Sequence, residues 1–152
     1  MYFRTYTPAD KDQLITILES NCPKYFRIED KDDLIYFLDN FADDNYLVAV
    51  EGDTIIGCGG HYTKTDCHGI AWVMFKYGSL RPSRLLKVAD AFFAEIESRL
   101  LSEKTGLDIV INTTQLMQKF FSRYGFHTTS VVRDGFGEGL DECCMVKPTK
   151  EL

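Results

Sequence analysis

Positive charge is scarce in this 152-residue chain: 17 Lys and Arg stand against 23 Asp and Glu, for a net charge of −6 and a pI near 5.0. Binding along a phosphate backbone needs clustered positive charge, so nucleic acid is not an expected partner, while a cationic substrate is allowed. No CxxC pair occurs, and the five cysteines, Cys22, Cys58, Cys67, Cys143 and Cys144, are odd in number. That spacing argues against a disulfide framework and against a zinc site. No metal is expected, and the thiols read as reduced and buried, as in a cytoplasmic protein. No apolar run reaches membrane-spanning length, and the opening MYFRTYTPADKD lacks the apolar stretch of a secretion signal, so no membrane association is expected. Low-complexity segments, long linkers and internal repeats are missing as well. What remains is 45% hydrophobic and 26% charged, the balance of a globular protein. The length suits a single domain over residues 1–152.

The hydrophobic pattern divides the chain cleanly. MYFRTYT alternates as a short strand. In TPAD, Thr7 reads as a helix N-cap with Pro8 at the first helical position, and KDQLITILES places Leu14, Ile17 and Leu18 on one face. NCPKYF interrupts. DKDDLIYFLDNF makes a second short helix with Leu34, Phe37, Leu38 and Phe41 inward. NYLVAVEGDTIIGCGGHY is two strands about a tight turn at Glu51-Gly52-Asp53, and TKTDCHG is the next turn. IAWVMFK is a nearly unbroken apolar strand, hence central and covered on both faces. A long helix runs from Pro82 to Lys104 on a stripe of Leu85, Val88, Ala89, Phe92, Ile96 and Leu100, and Gly106 stops it. LDIVIN is another buried strand. QLMQKFFSRYGF is a helix ended by Gly125. HTTSVVRD and DECCMVKP close the chain as two strands around a shaped loop, DGFGEGLD. The order β-α-α-β-β-β-α-β-α-β-β predicts an α/β fold with a mixed, mostly antiparallel central sheet and helices on both faces. The strand–helix–strand crossover is expected to be parallel and right-handed.

One stretch poses a chemical question. In FKYGSLRPSRLLKVADAFF a polar turn with Gly78 and Ser79 precedes a helix start at Pro82, flanked by Arg81 and Arg84. Helix starts expose unpaired backbone N–H groups at the positive end of the helix dipole, so they suit anions.

Several pieces together resemble the GCN5-related N-acetyltransferase (GNAT) superfamily over nearly the whole chain: IIGCGG with Gly57, the run from Trp72 through the long helix, FFSRYGF, and a last strand with Met145 before Pro148. NCPKYF, GCGG, AWVM, TTQ and DGFGEGLD narrow the likeness to one bacterial-type subgroup. The resemblance implies the acyl-CoA N-acyltransferase fold and transfer of an acetyl group from acetyl-CoA to a primary amine of a small molecule, peptide or protein. It places the pantetheine arm along a central strand that splays from its neighbour, Trp72 to Lys76, with Met74 and Phe75 nearest the thioester. The pyrophosphate then falls to Leu80, Arg81, Pro82, Ser83, Arg84 and Leu85. Thr114 stands where the family often has Asn beside pantetheine, and Phe121 where many relatives carry a Tyr acid. Many relatives dimerise, which leaves a homodimer open.

The departures matter as much. The family loop, Gln/Arg-x-x-Gly-x-Gly/Ala, is degenerate here: no glycine occupies residues 80–85, and Pro82 lacks an N–H. Either Arg81 and Arg84 replace backbone contacts with charge-assisted bonds, or the site has decayed and the fold serves as a non-catalytic ligand- or partner-binding module. Phe121 cannot protonate a thiolate. Tyr124, one helical turn on, is the candidate acid, or else a packed helix-end tyrosine. His61, at a strand end, is the candidate base, or else structural, with His68 in a turn and His127 as weaker alternatives. Tyr25 and Phe26 form either an aromatic wall for the acceptor or ordinary core. Asp134 and Asp141 either border the acceptor or cap backbone N–H groups in a turn.

Overall fold

The computed structural model describes residues 1–150. They fall into two compact units, one of Met1–His61 with Ala71–Ile96, the other of Tyr62–Ile70 with the described chain from Glu97.

In the first unit, strand alternation sorts side chains to two faces. Strand β1 (Tyr2–Thr5) pairs antiparallel with β2 (Tyr46–Glu51), and β2 with β3 (Thr54–Thr63). On one face Tyr46, Val48, Val50, Ile55, Cys58 and Met74 pack against Leu14, Ile17 and Leu18 of α1 (Lys11–Ser20) and Leu34 and Leu38 of α2 (Asp30–Asn40). Their neighbours in sequence, Ala49 and Ile56, turn the other way. They meet Val88 of α3 (Pro82–Ser102), with Phe3, Phe75 and Leu80 at the edge. Helices therefore cover both faces of these strands, as the sequence pattern predicts. The glycines of GCGG have a packing reason: a Cβ on Gly57 would lie 2.5 Å from the Phe75 ring, and one on Gly59 would lie 2.8 Å from the Phe92 ring. Two aromatic rings fill the space that side chains at 57 and 59 would need.

The start of α1 is built on one buried carboxylate. Asp10 closes the 3-10 turn Pro8–Asp10. It accepts Nη1–H and Nη2–H of Arg4 at 2.8 Å each and the Thr7 N–H at 2.9 Å. This two-pronged geometry makes a strong ion pair. The second helix departs from expectation at its end. Phe41, expected inward, lies one residue past Asn40 at φ −126, where the chain has left the helix; it is 61% exposed and edges onto Tyr36.

β4 (His68–Phe75) begins two residues before the predicted Ile70; its first three residues belong to the second unit and the rest to the first. In the second unit its start pairs in parallel with β5 (Ile109–Thr113), His68 with Ile109 and Gly69 with Val110. β7 (Leu140–Lys147) pairs antiparallel with both β5 and β6 (His127–Gly137). Three boundaries differ from the sequence reading. α3 stops at Ser102, because Lys104 already takes a left-handed turn at φ 54 before Gly106 at φ 70. The QLMQKFFSRYGF helix is shorter: a 3-10 turn, Gln115–Met117, leads into α4 (Gln118–Ser122). DGFGEGLD is mostly strand, since β6 runs through Gly137 and only Glu138 and Gly139 separate it from β7. The shaping of that segment lies in an irregular register between Val132 and Gly137, with Asp134 at φ 54. The sheet has seven strands in the order β1-β2-β3-β4-β5-β7-β6, a mixed, mostly antiparallel α/β architecture.

Candidate functional site

The strongest local anomaly sits in β4, in the first unit. Trp72 has φ 46, a left-handed value that non-glycine residues adopt at a cost of about 1–3 kcal/mol. The strain is held from several sides. The Tyr46 hydroxyl donates to the Trp72 carbonyl at 2.9 Å, and the Cys58 thiol faces the same oxygen at 3.8 Å. Phe26 stacks on the indole, ring centres 6.1 Å apart at 15°. Tyr46 is 1% exposed, and burial pushes its phenol well above its usual pKa; burial likewise takes the Cys58 thiol to about 12. Both stay protonated donors at neutral pH. A trans peptide carries its C=O and N–H on opposite sides. With the Trp72 carbonyl held by Tyr46, the Val73 N–H is therefore aimed the opposite way.

Beyond β4 the chain enters the predicted anion loop. Met74 is only 3% exposed, its side chain in the core with α1 and α2, so only its backbone is available to a ligand. Phe75 packs edge-on to Phe92, and its carbonyl accepts from Asn21 Nδ2 at 2.9 Å. Ser20 Oγ accepts the Tyr77 N–H at 3.1 Å. The end of α1 thus pins the strand exit through Ser20 and Asn21, two residues the sequence reading did not single out. The Lys76 carbonyl takes the Ser79 hydroxyl at 2.7 Å, and Gly78 turns at φ 75 with open space around it. Leu80 anchors the loop on Ala49, Ile56 and Val88. Helical bonding starts when the Leu85 N–H reaches the Arg81 carbonyl at 2.9 Å, which leaves the Ser83 and Arg84 N–H groups in the unbonded first turn after Pro82. Arg81, Pro82, Ser83 and Arg84 are exposed and Leu85 half-buried. Arg81 has no ion pair among the described residues. Arg84 has one: its Nη2 lies 2.6 Å from Glu51 Oε1.

An aromatic and acidic surface lies in the same unit. Tyr25 tilts against Tyr77, ring centres 6.5 Å apart, with Lys24 Nζ 5.1 Å from the Tyr25 centre. Tyr25 and Phe26 are each half-buried, so both keep an accessible side and core packing at once. Residues 19–44 hold eight acidic side chains and three basic ones. His61 lies within β3 and not at its end, half-buried, its N–H on the Asn45 carbonyl at 3.3 Å.

The second unit holds the remaining candidates. Thr114 is 7% exposed, and its hydroxyl has no hydrogen-bond partner among the described residues. Phe121 is buried among Phe120 and Phe126. Tyr124 lies past the end of α4, half-buried, its ring edge-on to Phe120. Asp134 and Asp141 organise the hairpin: Asp134 Oδ1 accepts the Gly139 N–H at 2.9 Å, and Asp141 Oδ1 accepts the Asp134 N–H at 3.0 Å. Gln115 ties in through the Asp141 N–H at 2.8 Å and the Gly139 carbonyl at 2.8 Å. His68 is not in a turn. It opens β4, 2% exposed, between two hydroxyls. Thr63 donates to Glu103 at 2.9 Å and so accepts from His68 Nδ1–H at 2.8 Å. On its other side His68 Nε2 lies 2.7 Å from Thr105 Oγ1. A histidine at a strand start between threonines carries no sequence signal for such a pairing. Among the described residues no three or more His, Cys, Asp or Glu side chains group to hold a metal, and no helix is long and apolar enough to cross a membrane.

No protein-family model matches this chain, and no curated protein matches it. Solved structures do match in fold. A ribosomal-protein-alanine N-acetyltransferase from Brucella melitensis is 17% identical with a TM-score of 0.73, covering 98% of this chain and 100% of its own. An acetyltransferase of the GNAT family from Staphylococcus aureus is 17% identical with a TM-score of 0.73, covering 97% and 98%. An aminoglycoside 6'-N-acetyltransferase complexed with coenzyme A is 15% identical with a TM-score of 0.67, covering 97% of each chain. The chain has the fold of the GNAT acetyltransferases.

Proposed function

We propose that this protein is an N-acetyltransferase that moves the acetyl group of acetyl-CoA to a primary amine on a cationic small molecule, peptide or protein. The observation that carries the reading is the strained Trp72 peptide, held by a fully buried tyrosine in the strand that leads to an anion-suited helix start. Strain of this kind persists where the surroundings over-determine it, and here it orients one backbone donor.

The residues fit the donor molecule with one reservation in the loop. For the pyrophosphate there are the Ser83 and Arg84 N–H groups, the Ser83 hydroxyl and Arg81; against it stand the missing glycines and Glu51. Acetyl-CoA supplies an activated thioester when bound. The Val73 N–H is suited to donate to the thioester carbonyl as negative charge develops there. The amine nitrogen attacks that carbonyl carbon, the carbon–sulfur bond breaks, and sulfur leaves as thiolate; catalysis is mostly positioning. The attacking amine loses a proton, for which His61 is the candidate acceptor, and Tyr124 is the candidate donor to the thiolate. Tyr25 and Phe26 offer the acceptor an aromatic wall, and the acidic excess over residues 19–44 favours a cation. Thr114 has a hydroxyl to spare for the pantetheine arm. We place the protein in the cytoplasm as a single catalytic domain, alone or as a homodimer.

The engagement of Arg84 by Glu51 and the phenylalanine at 121 favour a second reading, a non-catalytic binding module on the same fold. Turnover separates the two. Acetyl-CoA with a panel of polyamines, aminoglycosides and basic peptides is expected to release free thiol. The Tyr46→Phe variant, which frees the Trp72 carbonyl, is expected to lower kcat about ten-fold with little change in KM for acetyl-CoA. Binding of CoA with no turnover on any amine selects the binding module.

A further inference from the structure

We propose that Glu51 is an affinity-setting residue that holds Arg84 out of the phosphate-binding loop, an inference that rests on the acetyl-CoA reading above. Glu51 ends β2, and the Gly52 turn at φ 62 follows it. Arg84 stands on the first turn of α3. Their 2.6 Å contact joins the β2–β3 turn to that helix start. The Glu51 carboxylate therefore occupies, from within the same unit, the arginine that an incoming pyrophosphate would take. Both side chains are partly exposed, 46% for Arg84 and 37% for Glu51, so the pair is solvated and exchanges readily.

A phosphate that captures Arg84 must displace one anion with another and leave Glu51 beside it as a like charge. Arg81, which has no such partner among the described residues, makes the first contact at no comparable cost. The loop thus has one available arginine and one engaged. Its grip on the donor is set by an acidic residue more than thirty positions away in sequence, outside the segment where a phosphate motif would be sought.

Calorimetric titration of CoA into wild type, Glu51→Gln, Arg84→Ala and the double variant tests this directly, with pantetheine as a probe that lacks the pyrophosphate. Glu51→Gln is expected to tighten CoA binding about three- to five-fold, the range set by an exposed ion pair. The gain is expected to vanish in the Arg84→Ala background, and pantetheine binding to stay unchanged. If wild type binds CoA and Glu51→Gln binds it equally or more weakly, the inference is overturned while the acetyl-CoA reading stands. A gain that survives in the double variant also overturns it, because Arg84 is then not the route. Failure of all four proteins to bind CoA overturns both.

Discussion

Asp10 and Trp72 show how much single side chains decide here. Asp10 is buried beneath Arg4, and the hydrogen bonds from that guanidinium hold its pKa below the ordinary value of 3.8. A carboxylate with a lowered folded pKa contributes stability that is complete above its unfolded pKa and is lost as pH falls through the folded one. Asp10→Asn is therefore expected to cost about 1–3 kcal/mol at pH 7. In urea melts across pH, the gap to wild type should stay constant above about pH 5 and close below the ordinary carboxylate range. A gap that widens on acidification would contradict the ion-pair account. At this scale the sequence is only partly legible. TPAD announces a helix start at Thr7 and Pro8, but not that Asp10 is buried against Arg4, and nothing in AWVM announces that Trp72 leaves the extended region. The cause is distant in sequence, a Tyr46 hydroxyl two strands away, and a local pattern of apolar residues cannot encode it.

Elements were legible where period and punctuation agreed. β2 alternates regularly, with Tyr46, Val48 and Val50 toward α1 and α2 and Ala49 toward α3. β3 breaks parity: its register against β2 shifts between Ala49 and Val50, so Ile55 and Cys58 share one face while Ile56 lies on the other. The start of α3 follows from Pro82. Legibility failed where two turn signals competed. Gly106 marks the end of α3, yet Lys104 takes the left-handed position first. The run 115–126 has helical spacing, but it opens as a 3-10 turn and yields only five α-helical residues. That shortening leaves Tyr124 beyond the helix. It also sets Thr114 immediately before the 3-10 turn with its hydroxyl unpartnered. Removing a hydroxyl that bonds to nothing forfeits no hydrogen bond, so Thr114→Val is expected to change stability by less than about 1 kcal/mol. If the hydroxyl serves the pantetheine arm, the same variant weakens acetyl-CoA binding several-fold. Thermal melts and titration together decide whether Thr114 is a ligand group. Unchanged affinity removes it from the site.

Over the whole molecule, charge is segregated. The acidic excess of residues 19–44 accounts for most of the net −6, on the elements that carry Tyr25, Phe26 and Tyr36. The other unit answers a different need, with Asp134, Asp141 and Gln115 spending their polar atoms on a hairpin. The hydrophobic pattern foretold the α/β chain; of the five cysteines read as buried, Cys58 and Cys143 are, while Cys22, Cys67 and Cys144 are half-buried. That pattern could not foretell that Glu51 would reach Arg84, because ion pairs between distant segments leave no local trace. The central claim is that the start of α3 binds the pyrophosphate of acetyl-CoA without the usual glycines. Calorimetric titration of acetyl-CoA into wild type and an Arg81→Ala/Arg84→Ala variant tests it most directly. The account predicts micromolar binding to wild type and a loss of at least about ten-fold in the variant; no binding to the folded wild-type protein would contradict it.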